Sequence, residues 1–168
     1  SDVDWLNNLQ LKVSYGSVGN SSGLSPYMAY GLIGSGPMYG AVSGTAIANP
    51  ANPDLTWEVS KSTNIGINAR FFNRVNLEVD VYNRDIEDML MEIPYSHTTG
   101  FSGGWGNIAS MRNRGIEATV NVDVLKDVKD FDWSISANIS YNKNEITELF
   151  FGRDEHVIGD FKLQVGKP

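Results

Sequence analysis

Cysteine is missing from all 168 residues, which removes disulfides, thiolate metal sites and cysteine nucleophiles together. Histidine is nearly as scarce: His97 and His156 stand alone, without the further ligands that a metal centre needs. No apolar run approaches the roughly 18 residues of a membrane-spanning helix, and mean hydropathy is −0.24. That excludes helical spans but not a barrel, whose alternation hides a greasy band from any window average. Positive charge is also short, with 13 Lys and Arg against 20 Asp and Glu and a net charge of −7. Such a balance argues against a nucleic-acid partner. A signal peptide is absent, so for an exported protein the chain reads as a mature fragment.

Catalytic patterns are wanting as well. Gly34-Ser35-Gly36 followed by Pro37 fails the spacing of a phosphate loop, and no Ser/His/Asp arrangement stands out. Glu78 and Asp80 share a strand face, and i, i+2 neighbours could approximate the 5–5.5 Å of a retaining glycosidase pair. Acidic residues recur along every polar face, however, so this pair is not singled out. We expect no enzyme and no cofactor.

What the chain does have is alternation. Trp133, Ile135, Ala137, Ile139 and Tyr141 fall on one side, and Ser134, Ser136, Asn138, Ser140 and Asn142 on the other. Side chains of a strand alternate with period two, so this is a β-strand with one apolar and one polar face. The pattern recurs in Leu9 to Tyr15, Trp57 to Phe71, Val75 to Leu90 and Arg114 to Val124, with a sixth apolar row of Phe161, Leu163 and Val165. Connections alternate between long and short. Phe72-Asn73-Arg74 and Lys126 to Asp130 are short; Gly16 to Pro53, Pro94 to Met111 and Gly152 to Asp160 are long. Outer-membrane barrels have short periplasmic turns and long extracellular loops. The expected fold is therefore all-β, with antiparallel up-and-down strands forming part of a large transmembrane barrel. A single partial barrel domain of about six strands fills residues 1–168, with extracellular loops near 16–55, 92–112 and 150–160.

A soluble β-sandwich, serving as a carbohydrate-binding or interaction module, is the alternative, because it too buries one face of each strand. Three features favour the membrane. The strands are long. Aromatics (Tyr15, Trp57, Phe71, Phe72, Tyr82, Trp133 and Tyr141) cluster near strand ends, as interfacial girdles do. The polar faces are uniform, and Asn64, Asn68, Arg70, Asn76, Glu78, Asp80, Glu117, Asn121 and Asp123 would line a wet lumen. The two readings give opposite surroundings to Val79, Val120, Ile135 and Ile139: lipid in a barrel, protein core in a sandwich.

Particular runs sharpen the first reading. Asn52-Pro53-Asp54-Leu55-Thr56-Trp57-Glu58 opens the second long strand, followed by Asn64-Ile65-Gly66-Ile67, Phe71-Phe72-Asn73-Arg74 and Val81-Tyr82-Asn83. Then comes Asn107-Ile108-Ala109-Ser110-Met111-Arg112-Asn113-Arg114-Gly115-Ile116-Glu117. In this order and spacing they resemble the C-terminal half of the barrel in SusC/RagA-type TonB-dependent outer-membrane transporters of Bacteroidetes. Val13-Ser14-Tyr15-Gly16 and Gly166-Lys167-Pro168 look like the same family, so the resemblance covers nearly the whole chain. It implies a bacterial outer-membrane barrel of about 22 strands, closed by a plug domain and partnered by a SusD-like surface lipoprotein. It also implies import of glycans or peptides driven by TonB with ExbB and ExbD. Plug, TonB box and final strand are not among these residues, so transport would belong to a parent chain. Cut from such a barrel, a piece with two open edges and a greasy face is expected not to be stable alone.

The motif residues also have plain structural readings. Asn52-Pro53-Asp54 is turn chemistry, Trp57 an anchor near the membrane rim, and Gly115 a site for a kink or bulge. Arg112 and Arg114 are expected to pair with lumen carboxylates or to be solvated. Ligand or lid contacts are expected on loop aromatics and on one histidine, Tyr30 and Tyr39 in the first loop and Tyr95, His97, Phe101 and Trp105 in the second, with packing of the aromatics on one another as the equal alternative. Transporter specificity normally sits in such loops.

Overall fold

The computed structural model describes residues 4–36, 38, 40–101, 103–128, 131–158 and 160–168. Strand β1 covers Leu6–Asn20, and a small hairpin follows from β2 (Ile33–Ser35) and β3 (Thr45–Ile47). Four more long strands are β4 (Glu58–Phe71), β5 (Val75–Pro94), β6 (Gly103–Val128) and β7 (Phe131–Glu148). A terminal hairpin pairs β8 (Glu155–Ile158) with β9 (Phe161–Gln164). The main sheet has five strands in the order β1-β4-β5-β6-β7. Each long strand thus lies beside its neighbour in sequence, the up-and-down arrangement read from the alternation.

The hairpin between β4 and β5 shows why the short connection is short. Phe72 and Asn73 both adopt left-handed backbone, at φ 51° and 54°, and the Arg74 N–H donates to the Phe71 carbonyl at 3.0 Å. Two consecutive left-handed residues make the turn whose twist matches the strands it joins. The Asn73 N–H donates to the Asn7 side chain at 2.6 Å, tying β1 to the same turn.

Two differences from the sequence reading have physical causes. The strands are longer than their apolar rows: β6 begins at Gly103, and the second loop shrinks to residues 95–102. Gly103, Gly104 and Gly106 read as loop punctuation. Here they are close-packing positions, where a Cβ at Gly104 would meet Pro50 and Tyr95 and one at Gly106 would meet Ile93. The sixth apolar row does not join the main sheet. It pairs with β8, with His156 opposite Leu163, and Val165 makes a parallel bridge to Ile146.

The chain divides into two units. The wall unit comprises Ser1–Ser17, Lys61–Asp85 and Arg112–Asn144; the loop unit comprises Val18–Ser60, Ile86–Met111 and Glu145–Pro168. In the wall unit the apolar rows of the outer strands are exposed, Leu11 at 66%, Ile135 at 47% and Ile139 at 73%, while Val75, Leu77, Val79 and Val120 on the inner strands are half-buried. Among the described residues Ala69 is its one buried apolar side chain. The loop unit has a core in the ordinary sense, with Ala109, Ile146 and Leu149 buried together and Met89, Met91, Leu163 and Val165 packed against them.

Candidate functional site

Two regions gather the polar and aromatic residues that the sequence singled out, one in each unit. In the wall unit the polar rows of adjacent strands meet. Asn64 of β4 donates to Ser14 of β1 at 3.2 Å, and Arg84 of β5 donates to Ser62 of β4 at 3.3 Å. Lys12 reaches across an intervening strand to Glu78 at 3.3 Å. Gly66 makes that reach possible, because the space its missing Cβ leaves is filled by the Asp80 carboxylate beside Lys12. Arg70 joins Arg74, Asn76, Asn121 and Asp123 around a hollow of about 290 Å³. Glu117, Ala118, Thr119, Asn138, Ile139 and Ser140 border another of about 270 Å³. Asn68 is half-buried in the same β4 row. The polar rows therefore meet from strand to strand, with Asn64 and Glu78 bonded to Ser14 and Lys12 of β1.

Gly115 has a different role from the expected kink. A Cβ there would stand 2.6 Å from the Tyr82 hydroxyl and against the Tyr141 carbonyl. The position is a seat for the Tyr82 ring, the way glycines in sheets are covered by aromatics on the next strand. Tyr82 thus belongs to the polar row of Asp80 and Arg84 rather than to an exterior girdle. Arg112 also departs from expectation. Its Nε lies 2.6 Å from Asp85 Oδ1, and Asn83 donates to the other Asp85 oxygen at 2.7 Å. Asn83 and Asp85 continue the row of Val79 and Val81, so this pair sits on the apolar-row side and not among the polar rows.

The loop unit is organised by asparagines. Asn52 accepts from the Asp54 N–H at 3.2 Å and donates to the Trp105 carbonyl at 2.9 Å. Asn107 closes a three-way clamp: it accepts from the Thr56 N–H at 2.8 Å and donates to the carbonyls of Thr56 at 2.8 Å and Asp88 at 2.7 Å. Glu58 receives the Leu90 N–H at 3.1 Å and the Asn20 amide at 3.2 Å. The Asn-Pro-Asp-Leu-Thr-Trp-Glu run is therefore a fastening of the first loop onto β5 and β6. Its Trp57 ring lies against Gly19, where an added Cβ would come within 3.2 Å.

Beside this fastening lies a hollow of about 580 Å³ lined by Leu90, Met91, Glu92, Pro94, Trp105, His156 and Val157. Of the expected contact residues, Trp105 is on its wall. Tyr95 packs at Gly104, next to Pro50. Phe101 is half-buried, with its N–H on the Thr99 hydroxyl at 3.3 Å. His97 occupies a one-turn helix, His97–Thr99, capped by Ser96, and is exposed. Tyr30 is exposed beside Tyr27, ring centres 6.3 Å apart. Tyr39 lies outside the described residues. The structure thus brings Trp105 to a concavity and leaves Tyr30 and His97 apart from it.

His156, read from the sequence as part of the long loop from Gly152 to Asp160, lies instead on β8 and lines the same hollow. Its ring meets Phe150 edge-on at 4.6 Å, and Arg153 lies 5.3 Å over the same Phe150 ring. Among the described residues no group of three or more His, Cys, Asp or Glu side chains could hold a metal ion.

Comparison with known proteins gives one consistent answer. The family described as TonB dependent receptor-like, beta-barrel matches residues 2–165. TonB-dependent receptor P39 of Formosa agariphila is 36% identical over 98% of this chain and 16% of its own length. TonB-dependent receptor SusC of Bacteroides thetaiotaomicron is 30% identical over 98% of this chain and 17% of its own. Among solved structures, the RagAB peptide importer in its open-open state superposes with a TM-score of 0.82 at 34% identity. That match covers 98% of this chain and 18% of the importer's. The chain thus spans about a sixth of the length of the relatives it matches.

Proposed function

The chain belongs to the TonB-dependent receptor β-barrel family of the bacterial outer membrane, and on that premise we propose that it is a wall segment of a nutrient importer. Its polar rows line the lumen and its apolar rows face lipid. One observation carries this reading. Ile135 and Ile139 stand exposed on β7, while polar side chains of β1, β4 and β5 hydrogen-bond from strand to strand. A soluble sandwich would need those isoleucines inside a core. A lipid-facing row needs them outside, and its polar counterpart is what a water-filled lumen requires.

The parent protein imports an oligomeric nutrient, glycan or peptide, with a SusD-like surface lipoprotein as lid and TonB, ExbB and ExbD as power source. Support comes from the similarity to SusC and to the RagAB importer. The family is one of transporters, and the site has bonding and packing geometry rather than an acid–base constellation.

The test is uptake by the parent transporter in its own cells. Bulky thiol-reactive labels on Glu78→Cys or Asn121→Cys are expected to slow import severalfold, whereas the same label on Ile139→Cys leaves it near the unlabelled rate. Equal effects at all three positions would contradict the assignment of faces.

A further inference from the structure

The import reading leaves glycan and peptide open, and an apolar cavity in the loop unit separates them. Along β7, Ile146 stands in the same alternation row as Asn142 and Asn144. Along β6, Ala109 and Met111 precede Asn113 in theirs. Both rows change from polar to apolar at this level. In β5 the same change comes from the backbone. Asp88 is left-handed at φ 57°, which interrupts the alternation, and beyond it Met89 and Met91 pack on the cluster of Ala109, Ile146 and Leu149. Strict alternation would put both methionines in the row of Val79 and Val81. Leu163, from the terminal hairpin, closes the other side. Between these residues lies a cavity of about 200 Å³ whose one polar lining residue, among those described, is Ser110.

We infer that this cavity is a subsite for one apolar side chain of an imported peptide, an assignment that rests on the import reading above. Size fits: apolar cavities of roughly 150 Å³ take a benzene-sized guest, so this one takes an aromatic ring or a branched aliphatic. Lining fits too, since three methionines provide a surface that adapts to side chains of different shape. A sugar does not fit, because its hydroxyls would be stripped of water against walls that return no hydrogen bonds. The similarity to a peptide importer points the same way.

The experiment uses the complete parent transporter, purified in detergent, and three probes: a pentapeptide with a central leucine, its central-serine analogue, and a linear neutral oligosaccharide. The wild type is expected to bind the leucine peptide about tenfold more tightly than the serine peptide, the discrimination that one apolar group in a pocket gives. Filling the cavity from the strand with Ala109→Leu, or from the hairpin with Leu163→Trp, is expected to remove that preference. Heat-modified mobility on gels shows that each variant has kept its barrel. An unchanged preference in both folded variants overturns the subsite, as does a segment of the parent chain found occupying the cavity. Binding of the oligosaccharide alone overturns the subsite and leaves import standing; binding of none of the three sinks the import reading itself.

Discussion

In the wall unit, Ile139 is 73% exposed and the outer strands carry their apolar rows uncovered; in the loop unit, Leu149 is 2% exposed inside a cluster with Ala109 and Ile146. The two units are drawn from the same long strands, so secondary structure does not explain the difference. What differs is how each stretch covers its apolar side chains. The wall unit is held by its ladder and by polar contacts such as Asn64 to Ser14 and Lys12 to Glu78, and under the proposed function its apolar side is completed by lipid. The loop unit covers its own. It folds a hairpin back onto its strands to make a core of its own, much as a soluble protein would.

That contrast can be tested by substitution in the parent barrel, reading thermal or chaotrope unfolding. The largest loss is expected in the loop unit. Leu149→Ala leaves a cavity and costs about 2–5 kcal/mol, in bilayer and detergent alike. Next comes a charge in the lipid-facing row. Ile135→Arg is expected to cost about 2–4 kcal/mol at mid-membrane depth, whereas Ile135→Ala, which exchanges a lipid contact for a smaller one, costs well under the Leu149→Ala value. If Ile135→Ala proves as costly as Leu149→Ala, the row is packed against protein and the contrast is broken.

Gly115→Ala follows, at about 1–3 kcal/mol for forcing a methyl into a closed seat. A Cβ at Gly115 meets backbone as well as the Tyr82 ring, while one at Gly66 meets a movable Asp80 side chain. Gly66→Ala is accordingly the milder change. The smallest effect belongs to Lys12→Ala. Its ion pair is open to solvent on both sides and is worth at most about 1 kcal/mol. A loss of several kcal/mol there would mean that the polar rows, rather than the ladder and the lipid, hold the wall.

The wall was legible in the sequence because a strand with two different solvents on its two sides must alternate. Val75, Leu77, Val79 and Val81 therefore showed both the strand and its apolar face. Turn chemistry at Phe72-Asn73-Arg74 was equally local. The loop unit was not legible, since its decisive features break the local rule. Asp88 is an ordinary residue in the sequence, yet its left-handed backbone moves Met89 and Met91 out of the row that counting assigns them. Gly103, Gly104 and Gly106 look like a loop and lie in a strand, because the neighbours that need their missing side chains, Pro50 and Tyr95 among them, come from elsewhere in the chain. Leu163 reads as part of a wall row because β9 alternates as the wall strands do, and His156 as loop because β8 has no apolar row of its own. Of the aromatics expected at ligand or lid contacts, Trp105 lines a hollow and Tyr30 does not, and nothing local in the sequence distinguishes the two.

The two rows of β7 are proposed to have opposite surroundings, and adjacent positions on that strand test this most directly. With no cysteine in this stretch, Ile139→Cys and Asn138→Cys can each carry a nitroxide label in the parent transporter reconstituted in bilayers. Relaxation by lipid-soluble oxygen and by a water-soluble nickel chelate is then compared. Oxygen is expected to dominate at position 139 and the chelate at position 138. Shielding of position 139 from both reagents would put Ile139 inside a protein core and contradict the assignment.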